Sequence, residues 1–400
     1  MSTVPVPPHR WSKQFYRLCL SSLLFFCSFN LIISELPSWL TDLGGREHMG
    51  LIIPLFTLTA LIARPISGHL ADRIGRIPVV LFGVSVSMVC ALIYPWMLTL
   101  TGFFLIRLMH GLSTGFAPTG TTALLADILP AGRRGEGLGI LGLSGSLGMA
   151  LGPWMGSTVA LHFGTTAMFF TSGLVALTSL VLFLGMKETL REPRSFQWKL
   201  LLVPRDGLVE PRVWKPALAT FLCLFPFGAV LTLAPDLSMQ AGLSNKGTFF
   251  LYYVLTSVLV RFPAGRYSDR MGRAVTMLIG SLLLALAMAV IAMATTREMV
   301  LAGAVLTGLA SGINSPAIFA WTADLSLEAH RAKAMATTFI ALELGIGMGG
   351  LISGYTYTMG GTGMAAAFWV SSAVAACCSI FLAVHLLRSR KAAALRDLRP

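Results

Sequence analysis

The fold is decided by the stretch Arg64-Pro65-Ile66-Ser67-Gly68-His69-Leu70-Ala71-Asp72-Arg73-Ile74-Gly75-Arg76, because the chain contains this pattern twice. The second copy runs from Arg261 to Arg273, and its Arg, Gly, Asp, Arg, Gly and Arg residues lie 197 positions after those of the first. The same offset relates Asp127 to Asp324. A chain of 400 residues with a repeat of 197 therefore consists of two halves of one design.

The composition is that of a membrane protein. Hydrophobic residues make up 55% of the chain, charged residues make up 12%, and the mean hydropathy is +0.75. A soluble domain usually carries about 25% charged residues. All six cysteines lie inside apolar runs, and neither a zinc-binding spacing nor a disulfide framework is visible. We therefore expect no metal and no cofactor.

Twelve apolar runs are each long enough to cross a bilayer, for which a helix needs about 20 apolar residues. They predict an all-α polytopic membrane protein with twelve transmembrane helices in two pseudo-symmetric six-helix bundles. Residues 1–186 would form the first bundle, 187–213 a basic cytoplasmic linker, and 214–400 the second bundle with a basic tail. The runs cover residues 15–39, 49–69, 77–97, 102–126, 136–160, 165–186, 215–238, 245–266, 274–295, 299–323, 333–356 and 364–387.

The positive charges predict the orientation in the membrane. Of the 30 Lys and Arg residues, 24 lie at the termini and in every second loop, three lie in the opposite loops, and three lie inside helices. Basic loops stay in the cytoplasm, so both termini are predicted there, in a cytoplasmic (inner) membrane. This distribution accounts for the net charge of +13 without nucleic acid binding. An offset of six helices relates the halves by an axis along the membrane normal, as in parallel-repeat transporters.

Three motifs resemble signatures of the major facilitator superfamily. Gly68-x-Leu70-Ala71-Asp72-Arg73-x-Gly75-Arg76 is similar to motif A, and Arg107-x-x-His110-Gly111 resembles the helix-4 signature, with His where Gln is usual. A third motif resembles the antiporter signature of the drug:proton subfamilies, with Ser157 in place of the final glycine. The resemblance covers essentially the whole chain and is greatest to bacterial efflux permeases. The residues of this antiporter motif are Gly139, Gly148, Gly152, Pro153 and Gly156.

The resemblance implies that Asp72 belongs to a cytoplasmic gate latch that breaks and re-forms as the halves rock. A carboxylate at a helix end can pair with Arg or face the N-terminus of another helix. The alternative is that these charges only anchor the loops at the lipid headgroups. The glycines of motif A and of its repeat allow helices to approach closely or the backbone to turn sharply. The gating candidates are Gly68, Asp72, Arg73, Gly75, Arg76, Asp127, Arg134, Gly265, Asp269, Arg270, Gly272 and Arg273.

The antiporter motif places glycines at every fourth position, Gly148, Gly152 and Gly156, along one face of helix 5. Such a face allows close helix packing, and Pro153 removes a backbone donor and can kink the helix. We expect this face to pack against the other half, at helix 8. Ordinary small-residue packing within one bundle would show the same spacing.

Charged residues inside helices are functional candidates because they are costly in a bilayer. Glu343 lies near the middle of helix 11 and is the best candidate for carrying a proton, since burial favours the neutral carboxyl group. A structural ion pair with a buried Arg is the alternative, and one pair can serve both purposes. Arg64 and its repeat partner Arg261 are each able to neutralise Glu343 or an acidic group of the substrate.

Three further residues are proton-coupling candidates. The resemblance ties Arg107 in helix 4 to proton transfer, and His110 lies one turn further along. A histidine in a helix is more often a packed, hydrogen-bonded residue, which remains the alternative for His110. Glu35 lies near the outer boundary of helix 1, where an interfacial position is as compatible with the sequence as a coupling role.

Candidates for the central substrate cavity are of two kinds. Asn30, Trp154 and Asn314 follow from fold analogy, because helices 1, 4, 7 and 10 usually line the cavity in this family, and the two arginines are included because each is able to neutralise an acidic group of the substrate. The full set is Asn30, Arg64, Trp154, Arg261 and Asn314.

The sequence thus predicts a secondary transporter that exports a small organic molecule by proton antiport with alternating access. Uptake by symport or facilitation of a sugar or organic acid is the alternative. The expected partners are the substrate, protons and the lipid bilayer, with the protein as a monomer. No HExxH motif, no GxSxG at a strand–helix turn and no large soluble segment is visible, which disfavours an enzyme and a membrane sensor.

Overall fold

The computed structural model describes residues 11–129, 133–202, 209–327, 331–358 and 363–397. Every long regular element in these ranges is a helix. We call α1–α6 the N-half and α7–α12 the C-half. The helices of the N-half are α1 (Lys13–Leu31), α2 (Leu36–Asp42), α3 (Ile52–Ile74), α4 (Arg76–Ile93), α5 (Leu100–Ile128) and α6 (Arg134–Phe183).

The C-half follows a connection at residues 184–213 that contains only short 3₁₀ turns in its described part. Its helices begin and end within a few residues of the predicted runs, except that the last helix continues ten residues further. They are α7 (Trp214–Gln240), α8 (Thr248–Met271), α9 (Arg273–Ala292), α10 (Arg297–Leu325), α11 (Arg331–Thr358) and α12 (Gly363–Asp397).

Helix α6 is a hairpin of two membrane helices. Its 50 residues are interrupted at Gly164, which has φ 84° and ψ 163°. Gly152 lies against Cys27 and Asn30 of α1, and further along Ser172 donates to the carbonyl of Ser28 at 2.8 Å. The first arm therefore runs parallel to α1 and the second runs back. A left-handed conformation is accessible to glycine at little cost, so Gly164 permits the reversal predicted between residues 160 and 165.

The predicted first helix is broken. Helix α1 ends at Leu31 and α2 begins at Leu36, with turns between them. Pro37 occupies the first turn of α2, where its missing N–H is tolerated, whereas inside a continuous helix its ring would clash with the preceding turn. The prediction of one helix over 15–39 was therefore wrong in detail, and Glu35 lies at the break.

Nine helical segments in the described residues are long and apolar enough to cross a membrane, and α8, bent by 50°, makes a tenth. The α6 hairpin supplies one further crossing, and α5 is 29 residues long. These segments agree with twelve transmembrane helices and confirm the all-α fold class.

The two halves repeat the same packing. Helix α3 packs on α5 as α8 packs on α10, and α1 packs on α6 as α7 packs on α11. Between the halves, α3 contacts α11 and α6 contacts α8. We call the end that carries residue 13 and the 184–213 connection the termini end, and the opposite one the far end.

The halves meet tightly at the far end. Gly50 and Gly354 touch backbone to backbone, and Gly247 lies against the backbone of Pro153. A side chain larger than hydrogen at these glycines would collide with the other half. The far end is therefore closed in this structure.

Candidate functional site

A buried ion pair joins the halves. Arg64 of α3 donates to Oε1 of Glu343 in α11 through Nε at 3.0 Å and Nη2 at 2.5 Å. The side chains are 16% and 7% exposed. The ring of Phe339, one turn before Glu343, lies 4.7 Å from the guanidinium carbon. The structure thus brings two of the predicted residues together.

The helices place this pair deep in the bundle. Arg64 lies twelve residues after the first residue of α3, and Glu343 lies twelve after that of α11. At 1.5 Å per residue, each is about 18 Å from its helix end. A buried carboxylate needs a partner, because an uncompensated charge is strongly destabilising. Arg64 and Glu343 therefore stabilise each other only while the halves are in contact here.

A second arginine crosses between the halves without a carboxylate. Arg261 of α8 donates to the hydroxyl of Ser146 in α6 at 2.9 Å and to that of Ser315 in α10 at 3.0 Å. It also lies 3.5 Å from the carbonyl oxygen of Gly142. Within the described residues Arg261 forms no ion pair.

A cavity lies inside the C-half, beside Arg261. Its empty volume is about 590 Å³ including its mouth. Asn314, one of the predicted cavity residues, lines it and places Nδ2 3.7 Å from Sγ of Cys223. Its Oδ1 is buried with no hydrogen-bond partner in the described part of the chain. The other lining residues are Thr220, Leu224, Phe227, Tyr253, Leu284, Thr307, Ser311, Ser315, Ile318, Phe319 and Leu342.

Two predicted cavity residues lie elsewhere. Asn30 is buried, donates to the carbonyl of Phe26 at 2.8 Å and lies under Gly152, so it belongs to the α1–α6 contact. Trp154 is 38% exposed, and its carbonyl accepts a hydrogen bond from Asn245 of the α7–α8 loop at 3.1 Å. Of the residues predicted to line a central cavity, these two therefore do not line the cavity in the C-half.

Arg107 and His110 are buried within the N-half. Arg107 donates to the carbonyl of Ile52 at 3.0 Å and stacks on the ring of Phe56 at 4.7 Å. His110 lies 3.3 Å from the hydroxyl of Ser87 through Nε2. No hydrogen bond or ion pair given for the described residues connects this pair to Glu343, so the structure does not bring the proton-coupling candidates into one site.

Glu35 is buried at the far end and binds across the halves. Lys246, in the α7–α8 loop, lies 2.6 Å from its carboxylate and 2.7 Å from the hydroxyl of Ser38. Glu35 is 5% exposed. The break after α1 turns this carboxylate toward the other half instead of the lipid interface.

Motif A forms the same charged network in both halves. Arg76 binds Asp72 at 2.8 Å and Asp127 at 3.2 Å. In the C-half, Arg273 likewise binds Asp269 and, at 2.9 Å, Asp324. Each network stays within its own half, so the expected latch does not join the halves in this structure. The side chain of Arg134, another expected partner, lies outside the described residues.

The glycines of motif A have two different roles. Gly75 and Gly272 have φ of 116° and 92° and connect consecutive helices through conformations that favour glycine. Gly265 has no atom within 4 Å of an added Cβ, and Gly68 has only Thr119 at 4.0 Å. Neither of these two glycines forms a close contact in this structure.

Glu188 of the connection fastens motif A to the N-half. Its carboxylate accepts from the backbone N–H groups of Arg76 at 3.1 Å and Ile77 at 2.9 Å, at the start of α4. Burial alone would raise the pKa of Glu188, but the hydrogen bonds from Leu190, Ile77, Arg76 and Thr189 outweigh it and lower the pKa. A charged carboxylate is favourable at a helix N-terminus.

Three of the antiporter glycines, Gly148, Gly152 and Gly156, pack inside the N-half, against α1. An added Cβ at Gly152 would meet the carbonyl of Cys27 at 2.7 Å, and one at Gly156 would collide with Leu31. The expected contact with helix 8 was wrong, because the glycine face points to α1. Helix α6 does meet α8, but through its neighbouring face, which carries Ser146 and Pro153.

Sequence reasoning missed three polar residues. Ser146 was detectable, since it lies 197 positions before Glu343. Asp236 was also detectable, because it places a charge inside the apolar run of α7. In the structure its carboxylate accepts a hydrogen bond from the hydroxyl of Tyr357 at 3.1 Å. Nothing in the sequence pairs Glu188 with motif A.

The sequence profile of the Major Facilitator Superfamily matches residues 18–254 and 217–398. The chain belongs to this superfamily. It is therefore a membrane transporter and not an enzyme. The family was predicted from the motifs, and the match confirms it.

Two curated relatives are bacterial proteins, one named for export and the other for drug resistance. The staphylopine export protein of Staphylococcus aureus (strain Mu50 / ATCC 700699) is 24% identical over 359 residues, covering 85% of this chain and 88% of the relative. The quinolone resistance protein NorA of Staphylococcus aureus (strain MRSA252) is 26% identical over 227 residues, covering 56% of this chain and 58% of the relative.

The fold is also that of solved transporters. The crystal structure of the human organic anion transporter MFSD10 (TETRAN) matches with a TM-score of 0.71 at 22% identity, covering 93% of this chain and 100% of that one. At this identity the likeness shows the fold alone.

Proposed function

We propose that this protein is a proton-coupled exporter in the cytoplasmic membrane, with both termini in the cytoplasm and the two halves giving access alternately to each side. The observation that carries the proposal is the buried pair of Arg64 and Glu343, which ties α3 to α11. The name of the first bacterial relative, an export protein, supports the export direction.

The pair is suited to coupling because its strength depends on one proton. A charged Glu343 attracts Arg64 strongly in a site from which water is largely excluded. A protonated Glu343 loses the attraction between opposite charges and keeps at most a hydrogen bond from the guanidinium to a neutral carboxyl oxygen, which is weaker than the ion pair. Proton binding would therefore weaken a contact between the halves, and proton release would restore it.

The closed far end supports alternating access. At that end Lys246 holds Glu35 across the halves, while both motif A networks at the termini end bind only within their own half. With the termini in the cytoplasm, this arrangement is open inward. The opposite state would break the Glu35–Lys246 contact and bring the motif A residues to the other half.

The test is substrate-driven proton movement in inverted membrane vesicles with an acid interior. A panel of small organic compounds is added, including a quinolone, the compound class in the name of one relative. An antiporter raises the interior pH when its substrate is supplied. Glu343→Gln abolishes this response, and Glu298→Gln, whose side chain is 72% exposed, keeps it.

The opposite sign of the pH response would identify a symporter and contradict the export proposal. A Glu343→Gln protein with the full wild-type response would show that another group carries the proton. No response to any member of the panel would count against proton antiport.

A further inference from the structure

We propose that the transported molecule is an organic anion whose acidic group binds Arg261 and whose apolar part occupies the cavity in the C-half. This inference rests on the proposed transport function and specifies its substrate class. The acidic group is a carboxylate or a group of similar charge and geometry.

The two arginines occupy equivalent positions with different partners. Arg261 lies 197 positions after Arg64, and Glu343 lies 197 positions after Ser146. Arg64 crosses from α3 to Glu343 in α11, and Arg261 crosses from α8 to Ser146 in α6. The same contact between halves is thus made twice, with a carboxylate in one copy and a hydroxyl in the other.

Among the described residues, no carboxylate compensates the charge of Arg261, because Ser146 contributes a hydroxyl where its repeat partner Glu343 contributes a carboxylate. The groups that accept its hydrogen bonds are Ser146, Ser315 and the carbonyl of Gly142, all neutral. A guanidinium always carries its charge and presents a fork of donors that fits a carboxylate in two places. Charges within membrane helices normally pair with one another or mark a substrate pathway. An incoming anion would supply the partner that Glu343 supplies to Arg64.

The adjoining cavity fits the rest of such a molecule. Ser315, which binds Arg261, also lines the cavity, and so does Ser311, which bonds the hydroxyl of Tyr253 at 2.9 Å. Beyond these hydroxyls the lining includes the apolar side chains Phe227 and Phe319. Pockets for small molecules commonly combine apolar walls with a few polar groups that fix orientation. This one combines the hydroxyls of Ser311 and Ser315 with apolar side chains, and Ser315 in turn binds Arg261.

The cavity is also close to the proton-coupling pair. Leu342, the residue before Glu343, lines it, and the ring of Phe319 lies 5.5 Å from that of Phe339, on which Arg64 stacks. A molecule in the cavity would therefore contact the same part of α11 that carries Glu343. Substrate and proton would therefore both act on α11.

The test measures binding to the purified full chain without a proton gradient. Thermal unfolding is followed with benzoate, 4-phenylbutyrate and 1-naphthaleneacetate, each compared with its neutral primary amide at the same millimolar concentration. A ligand that binds the folded state raises the unfolding temperature. We expect at least one acid to stabilise the wild type more than its amide does.

Two variants locate the site. Arg261→Gln removes the cation, and Ser146→Asp gives Arg261 a counterion of its own at the position equivalent to Glu343. Each should raise the dissociation constant of the acid about tenfold or more, because a charge-assisted hydrogen bond is lost or taken by another partner. Ser146→Asn, neutral and matched in size to Asp, should keep the preference for the acid over the amide.

Several results would overturn the proposal. These are equal stabilisation by acids and amides, no stabilisation by any acid, or undiminished acid binding in both Arg261→Gln and Ser146→Asp. None of them bears on proton antiport, which the vesicle experiment tests separately. Failure of the substrate class and failure of the transport proposal are therefore distinguishable.

Discussion

At the scale of single residues, the Arg64–Glu343 pair makes a distinctive stability prediction. Arg64→Gln leaves the Glu343 carboxylate buried without its partner, which should cost about 3–5 kcal/mol of unfolding free energy. The double variant Arg64→Gln/Glu343→Gln removes both charges and should recover most of that loss. Thermal unfolding of the purified protein near neutral pH measures the loss in the single variant and the recovery in the double variant. A double variant less stable than Arg64→Gln would contradict a stabilising interaction between the two charges.

The hydrogen bonds of Glu188 predict that the stability of the folded protein depends on pH. Hydrogen bonds lower the pKa of its carboxyl group in the folded state, so its stabilising contribution is present above the unfolded value, about 4.3. That contribution is lost as the pH falls through the lower folded value. The stability difference between the wild type and Glu188→Gln should therefore be constant at neutral pH and shrink below about pH 4.

The exposed Glu192 provides the matched control for this prediction. Glu192→Gln should leave the unfolding temperature close to that of the wild type at every pH. A Glu188→Gln protein indistinguishable from Glu192→Gln at neutral pH would mean that the contact with the start of α4 does not stabilise motif A.

At this scale, the sequence identified the notable residues more reliably than it identified the partners that those residues contact. Glu343 and Arg64 were recognisable because charges inside apolar helices are costly, and their contact was one of the alternatives left open. Trp154 and Asn30 were placed in the substrate cavity by family analogy, but helix rotation decides which face a side chain occupies. That rotation follows from packing between helices distant in sequence, here α1 against α6.

At the scale of helices, the glycine face of α6 predicts a sharp contrast between two alanine variants. A Cβ at Gly156 would collide with the backbone of Leu31, whereas one at Gly139 has no atom within 4 Å. Gly156→Ala should lower stability by roughly 1–3 kcal/mol through overpacking. Gly139→Ala should change it by no more than about 0.5 kcal/mol. Unfolding measurements that give equal losses for both would contradict the packing of this face on α1.

The helices themselves were largely predictable, and their interruptions less so. Hydrophobic runs predicted the twelve segments because the bilayer fixes their length. The break between α1 and α2 has a local cause in Pro37, yet a proline in a transmembrane helix often produces only a kink. The glycine spacing of α6 correctly predicted that another helix packs closely against this face. It did not predict which helix, since either α1 or α8 is able to pack against glycines spaced in this way.

At the scale of the whole molecule, the Glu35–Lys246 contact predicts how firmly the far end is closed. Glu35→Lys or Lys246→Glu alone places like charges together and should favour separation of the halves there. The charge-exchanged double variant restores an opposite pair and should restore closure. Spin labels at Leu98 and Met293, which are 70% and 52% exposed, report the far-end distance. Single variants with the wild-type distance distribution would contradict this role.

The pseudo-symmetry of the chain explains why so much of the architecture was predictable from one offset. The motif A networks repeat almost atom for atom around Arg76 and Arg273. The proposed function depends on the positions where the repeat fails, such as Glu343 against Ser146. The offset locates such differences but does not show which contacts they make, so the contacts of the folded chain were needed to interpret them.

The most direct test of the account is the pH dependence of the distance between the halves at the termini end. Spin labels at Thr122 of α5 and Tyr267 of α8, both exposed, measure it in the wild type and in Glu343→Gln. If protonation of Glu343 weakens the tie to Arg64, lowering the pH shifts the wild-type distance distribution. Glu343→Gln then has one distribution at every pH, resembling that of the wild type at low pH. A Glu343→Gln protein that keeps the full pH response of the wild type would contradict the account.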